Sequence, residues 1–585
     1  MAWEKRLNYI PRIATGQRLN NTAWSLRKPY VQWVDEMGKP YGRRLDWWTS
    51  MVGDKNTLSS PLFLYLCYIY LVVELFEERA VGNVLVIGEC WSFLRTLRKI
   101  LHTGGHRVNV VPGCSHIALF EYLKLPVWFV GAWLRFVKEV LEYQKAARIT
   151  KKEIPFTEKI PGTKPVALIH TCVDENCFGK NGQFHDRYFP GLAQWLREQD
   201  YDVVLLPFLY QIKRSVTEAY RWFRLSGQRF LLPEDHVAIK DYFHCVITIM
   251  REIFIPRRSV RFHGWDVASL IFPLRWEQAR NRANARFLSY IPMLRHLAEK
   301  GWNLSLFVDK FENMPKEKPQ LLALENYFPG ATSIGYQHAS LPPFMLKYTS
   351  TRREFSEGLF PDIVVSNGPW FKERLEADGV PIECLRVGPS LRYSYLFSEK
   401  KSPRSSADQS HRKTEDATIL IVLTLDLNTA LELLSVVFNG LANYPVKILI
   451  KPHPMSDRKQ ILQLLGHETI PSNMEWIDGV MKDWLRRVDC VVASGSASIM
   501  EAAAYGVPTV VVGRECGLDM NPLGWWENTY PEFKPIFSPE GLRKAVDRIC
   551  QMAPEEMEKR TQEIRHELLK CYSRVNNETM NSFLP

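Results

Sequence analysis

Lys451-Pro452-His453-Pro454 closes one apolar run, 446–450, and Ser494-Gly495-Ser496-Ala497-Ser498 closes another, 490–492. The first pairs a fixed charge with an imidazole held between two prolines. Proline fixes its own φ and pushes the residue before it towards extended backbone. At a strand end this holds the imidazole over the crevice where α/β folds bind ligands, and with Lys451 it suits a phosphate oxygen. The second segment is made of small residues that let a ligand approach the backbone, followed by a helical run whose first N–H groups attract an anion. Glu501, one turn later, is in reach of a ribose or sugar hydroxyl. Together Lys451, His453, Pro454, Ser494, Gly495, Ser496, Ser498 and Glu501 read as a nucleotide-binding set. The plainer alternatives are a local turn for the histidine and tight helix–strand packing for the serines.

The rest of the chain offers groups for proton transfer. Gln337 and His338, in "GYQHASLPP", follow an apolar run and precede Pro342-Pro343. His338 suits a donor phosphate or an acceptor hydroxyl; a packed strand-end histidine is the alternative. "HTCVDENCF" supplies His170, Asp174 and Glu175, "FVDKFENMP" supplies Asp309, Glu312 and Asn313, and "FHGWD" supplies His263 and Asp266. A carboxylate at a strand end that faces a cleft can accept the proton of an attacking hydroxyl. Asp174 and Glu175 rank first as catalytic groups, then Glu312, with His338 beside them. His170, His263, Asp266 and Gln337 are assigned to the acceptor side. No paired-aspartate cluster accompanies Asp426 in "LTLDLN", and Cys172 and Cys177 lack a matching His/Cys pair. Neither a metal nor a cofactor is expected, because Lys451, His453 and the helix start can meet phosphate charge.

These groups need strands to carry them. From 166 onward, short apolar runs alternate with amphipathic ones, the rhythm of parallel α/β units. Segment 397–417, polar and rich in Ser and Lys, reads as a linker. The expected fold class is α/β: two Rossmann-like domains facing across a cleft, with an additional N-terminal α/β region. The expected division is 1–155 accessory region, 160–396 acceptor-side domain, 397–417 linker, 418–550 nucleotide-binding domain, and 551–585 C-terminal helix and tail. Residues 1–60 read as an irregular leader and 82–113 as a βαβ unit. The runs at 61–73 and 125–137 are too short to span a bilayer and read as buried helices. The second, with Trp128, Trp133 and flanking Lys124, Arg135 and Lys138, also has the composition of an interfacial helix.

At 585 residues, 46% apolar and 24% charged, the chain is globular and exceeds a single core. A net charge of +11 favours anionic partners, among them an anionic membrane surface. Dense basic–aromatic blocks are missing, which argues against nucleic acid. Eleven scattered cysteines and an N-terminus without a hydrophobic core suggest a cytoplasmic protein, at the inner face of the inner membrane.

"KPHP" followed by "VVASGSASIMEAAAYGVPTVVVG" resembles the C-terminal half of GT-B-fold glycosyltransferases that build bacterial surface carbohydrates, over residues 415–525. The resemblance is nearest to the CMP-sugar-using group, which includes Kdo- and sialyltransferases. It implies a metal-independent transfer of a sugar, Kdo or a related acidic sugar, to a growing polysaccharide or glycolipid. A CMP-sugar is the favoured donor, and a UDP-sugar also fits. The resemblance further implies that His453, Ser494, Ser496 and Ser498 bind the nucleotide's phosphate. "GYQHASLPP" looks like the "QHG" segment of such enzymes, with Ala339 in place of the glycine. Three other readings stay open: a CDP-polyol phosphotransferase, a sugar-nucleotide epimerase and a non-catalytic scaffold of a polysaccharide assembly complex.

Overall fold

The computed structural model describes residues 10, 12–78, 84–88, 90–107, 115–154, 164–179, 182–210, 212–251, 260–398 and 417–585, with the backbone alone over 115–125. Ahead of the first strand the described chain is helical: α1 (Gly16–Gly38), α2 (Leu62–Glu77), α3 (Trp91–Thr103) and α4 (Ser115–Glu153). The irregular leader expected over 1–60 is therefore corrected. α1 buries Leu19, Ala23, Leu26, Tyr30 and Val34, whose three-and-four spacing makes one apolar face. Polar residues and Pro29 interrupt that stripe in the sequence.

The βαβ unit at 82–113 is also corrected. Its helix forms as α3, but residues 84–88 pair with no strand and expose Leu85 and Ile87. Residues 108–113 of that unit lie outside the described residues. α2 is a buried helix as expected, with Leu62, Phe63, Leu66, Cys67 and Ile69 inside. The 125–137 run divides. Ala132 and Phe136 are buried, Trp133 packs between Phe129 and Phe136, and Trp128 is exposed beneath the Arg280 guanidinium. Among the described residues no helix is long and apolar enough to cross a membrane.

The first sheet contains β1 (Val166–Val173) and β2 (Asp202–Leu209). It is continued, after α5 (Ile239–Met250) and a small antiparallel hairpin of β3 (Arg261–Phe262) and β4 (Trp265–Asp266), by β5 (Leu304–Lys310). Then follow α6 (Glu317–Tyr327), β6 (Thr332–Tyr336), β7 (Ile363–Ser366) and β8 (Leu385–Val387). The order is β2-β1-β5-β6-β7-β8, all parallel. Every residue of β1 is buried, as a strand covered on both faces requires. The chain grows to one side of β1 and then to the other, so β1 and β5 flank a topological switch point.

The second sheet comprises β9 (Thr418–Val422), β10 (Lys447–Lys451), β11 (Met474–Trp476), β12 (Cys490–Ala493) and β13 (Thr509–Val511) in the parallel order β11-β10-β9-β12-β13. α7 (Leu427–Leu441) and α8 (Ala497–Tyr505) follow β9 and β12. Here the switch point lies between β9 and β12. The expected linker falls mostly on 399–416, outside the described residues.

The two Rossmann-like units form a bilobed, GT-B-like architecture. A shared apolar cluster joins them, with Phe311, Leu341 and Phe371 of the first packed with Ile499, Met500 and Trp526 of the second. Trp370 stacks on Trp526 at 4.2 Å, and Trp525 donates from Nε1 to the Leu341 carbonyl at 2.6 Å. After α9 (Pro554–Leu568) the chain returns to the first unit, where buried Phe583 lies 5.4 Å from Tyr336. Full burial of such a ring contributes about 1.5–3 kcal/mol. α1 makes a second tie. Its Arg27 reaches the Pro343 carbonyl and the Asp378 carboxylate, each at 2.7 Å, while the Thr15 and Gly16 amides donate to Glu515 at 3.1 and 3.0 Å.

Candidate active site

Both switch points carry the polar residues read from the sequence. On the second unit Lys451 ends β10, and the chain turns at Pro452-His453-Pro454. The Ser456 amide donates to the His453 carbonyl at 2.8 Å, and the Met455 amide to His453 Nδ1 at 3.3 Å. A backbone N–H can only donate, so Nδ1 is the unprotonated nitrogen and the proton sits on Nε2. Burial and then the Lys451 charge lower the histidine's pKa, which keeps it neutral.

Ser494 follows β12 and is buried, and its Oγ has no hydrogen-bond partner. Gly495 adopts φ +67°, and a Cβ there would lie 3.1 Å from Met520 Cβ, so the turn into α8 requires glycine. Ser496 caps α8 by accepting the Ser498 amide at 3.3 Å. Glu501 accepts the Tyr395 hydroxyl, and burial raises its pKa against the pull of that bond and of Arg392 and Lys451. Burial likewise lowers Lys451, which Glu501 and Asp478 oppose. A shallow pocket lined by Asp478, Asp483, Trp484 and Arg487 opens just beyond β11, and the Lys451 charge is felt by Asp478.

On the first unit the strand ends gather Lys310, Glu312 and His338. Lys310 Nζ lies 2.7 Å from Cys172 Sγ, 3.9 Å from Glu312 and 4.7 Å from the Tyr188 ring centroid. His338 is buried, with Nε2 3.9 Å from Glu312 Oε1 and Nδ1 without a partner. Burial drives the His338 pKa well below its ordinary value against the pull of Glu312, and Lys310, Arg392 and Lys316 add to the lowering. Burial opposes the Glu312 charge, yet Lys310 and Lys347 hold its pKa well below the carboxylate range. The site thus contains an ionised carboxylate beside a neutral imidazole.

Tyr188 packs edge-on to His338 at 5.5 Å, and Arg392 sits 5.4 Å from the same tyrosine ring. Arg392 also feels the Glu501 charge. His338, Tyr188, Arg392, Glu501 and Lys451 therefore run from one unit to the other. Arg392 is crowded by these groups yet open to solvent, as a side chain projecting into a cleft must be. Lys310, Tyr188, Arg392 and Tyr395 were missed from the sequence; the position of Lys310 at the end of β5 was the one available signal.

The remaining candidates have partners of their own. Asp174 accepts the Asn176 amide at 2.8 Å and pairs with Arg187 at 2.5 Å. Glu175 pairs with Arg214, whose hydrogen bond is the main cause of its lowered pKa. His170 is buried in β1, held neutral by burial. It donates from Nδ1 to Asp309 at 3.0 Å and accepts at Nε2 from Tyr290 at 3.0 Å, while Lys316 pairs with Asp309 at 3.2 Å. Gln337 accepts the Asn367 amide at 3.0 Å and donates to the Ala339 carbonyl, bracing the loop that presents His338. His263, at φ +45° in the β3–β4 turn, bonds Tyr70 of α2, and Asp266 pairs with Lys99 of α3 at 2.7 Å. Asn313 donates to Glu354 at 2.7 Å, and Asp426 caps α7 through the Thr429 amide at 2.8 Å.

No protein-family model matches the chain, and no curated protein sequence matches it. Solved structures do. A glycosyltransferase from Rickettsia africae matches at 11% identity, with 72% of this chain and 96% of that one covered and a TM-score of 0.39. The UDP-GlcNAc 2-epimerase of Neisseria meningitidis bound to UDP-GlcNAc matches at 12% identity over 71% and 97%, TM-score 0.37. Anabaena HepE in complex with UDP and glucose matches at 10% identity over 70% and 96%, TM-score 0.38. The nucleotides named with these proteins are UDP and UDP-GlcNAc. The narrower resemblance to CMP-sugar enzymes is therefore corrected, and no preference for cytidine is carried forward.

Proposed function

We propose that this chain is a glycosyltransferase that moves a sugar from a nucleotide-activated donor to a hydroxyl of a growing surface polysaccharide or glycolipid. The observation that carries this reading is that each unit buries, beside its strand ends, a polar atom without a partner: His338 Nδ1 on one and Ser494 Oγ on the other. Buried polar groups are otherwise hydrogen-bonded, so each is a position where a ligand can supply the missing bond.

On the second unit, His453 Nε2–H, the Ser494 and Ser498 hydroxyls and the first-turn amides of α8 bind donor phosphate. Lys451 and Arg392 offset the charge that grows on the leaving nucleotide, without calling for a metal. The nucleoside extends towards the Trp484 pocket. On the first unit, His338 is the general base. Its Nε2–H faces Glu312, so Nδ1 presents a lone pair to the acceptor hydroxyl. It takes the proton as the hydroxyl oxygen attacks the anomeric carbon and the bond to the nucleotide phosphate breaks. Glu312 stabilises the imidazolium that forms.

The test is a turnover assay with nucleotide sugars, with and without glycan acceptors. Nucleotide release that requires acceptor, and that falls by about 10²–10⁴ in His338→Asn with nucleotide binding retained, is expected. Interconversion of donor epimers without acceptor would replace transfer by epimerisation.

A further inference from the structure

α4 and α5 lie antiparallel side by side: Gln144 of α4 donates to the Val237 carbonyl just before α5 at 2.6 Å, and Phe136 meets Tyr242 at 6.0 Å. With their inner faces buried, each helix shows an apolar stripe to solvent. On α4 it is Val127, Val130, Leu134, Val137 and Leu141, at alternating steps of three and four; on α5 it is Ile239, Phe243 and Ile247. Leu134 is 66% exposed and Phe243 68%. A helix normally turns such a stripe inward, and exposed apolar side chains gathered in this way mark an interaction site.

We infer that this double stripe docks the protein on the surface of an anionic lipid bilayer. The choice of occupant rests on charge. Exposed Arg135, Lys138, Lys145, Arg148, Lys151 and Lys152 line α4 beside the stripe, and Lys240 stands on α5. Against them stand Glu142 and three carboxylates already paired, Glu139 with Arg282, Glu153 with Arg221 and Asp241 of α5 with Arg295. Aliphatic side chains flanked by lysine and arginine suit the boundary between acyl chains and anionic headgroups. A second copy of the chain would bring the same positive charge to the contact, which disfavours self-association through it. Trp128, under Arg280, sits at the end of the stripe, at the level an interfacial indole occupies. Trp133 packs inward and does not belong to the face.

The full chain is to be sedimented with vesicles of phosphatidylcholine alone and with about 30% phosphatidylglycerol, at about 0.05 and 0.5 M salt. Binding to the anionic vesicles, weakened by salt, is expected. Leu134→Ser with Val137→Ser, and separately Phe243→Ser, should each reduce it about tenfold or more. These positions are exposed, so melting temperatures should be unchanged, and Leu225→Ser, exposed on another helix, should bind as wild type. No binding to either vesicle, equal binding by the variants, or a wild-type dimer in sedimentation velocity that the same variants dissolve would overturn the proposal.

Discussion

His453 Nδ1 accepts the Met455 backbone amide at 3.3 Å, so the imidazole presents an N–H rather than a lone pair to the cleft. A glutamine places an amide N–H near the Nε2 position; an asparagine cannot reach it. His453→Gln is therefore expected to keep nucleotide affinity within about threefold of wild type, while His453→Asn loses a bond to a charged acceptor worth about 1.5–3 kcal/mol. Titration calorimetry of both variants checks this.

Ser494 separates binding from stability. Its hydroxyl makes no bond within the protein, so Ser494→Ala is expected to leave unfolding free energy unchanged or raise it by up to about 1 kcal/mol. The same variant should weaken nucleotide binding. Denaturant unfolding and titration of one preparation give both numbers.

His338 makes a pH-dependent prediction. Its folded pKa is depressed below that of the unfolded chain, so below about pH 6.5 the unfolded state binds the extra proton. Stability is then lost as pH falls, by about 1.4 kcal/mol per unit until the folded pKa is reached. Buried Asp54, Glu317 and Asp519, raised to about 7, act in the opposite direction, so the difference from a variant is the quantity to measure. His338→Asn should gain on wild type between pH 6.5 and 5 in urea unfolding and show no relative gain between pH 7 and 8.

Arg27 tests whether α1 is integral. Arg27→Ala removes the 2.7 Å partner of buried Asp378 and leaves it Arg374 alone, at 3.0 Å, so it should cost about 1.5–3 kcal/mol in urea unfolding. A loss below about 1 kcal/mol would make α1 a dispensable appendage.

From 166 onward the sequence was readable because parallel strands are short continuous apolar runs with helices between them. The runs ending at Lys451 and at Ser494 both proved to be strands at the expected place, one closing at Lys451 and the other at Ala493. The N-terminal helices were harder. The stripe of α1 is interrupted by Arg27, whose charge is satisfied by Asp378, distant in sequence. The same limit governed the site. His338 and Glu312 stood out by residue type, but Arg392 joins them only in the folded chain, where it lies over Tyr188. Asp174 and Glu175 sit at the chosen strand end, and nothing local to them announced Arg187 and Arg214 as partners.

The most direct measurement is titration of wild-type protein and His453→Ala with uridine, guanosine and adenosine diphosphates in chelator. Wild type is expected to bind at least one of them, and His453→Ala to bind it about 10- to 100-fold more weakly with an unchanged melting temperature. No binding of any nucleotide by wild type, or equal affinity in the variant, would contradict a nucleotide site at the ends of β10 and β12.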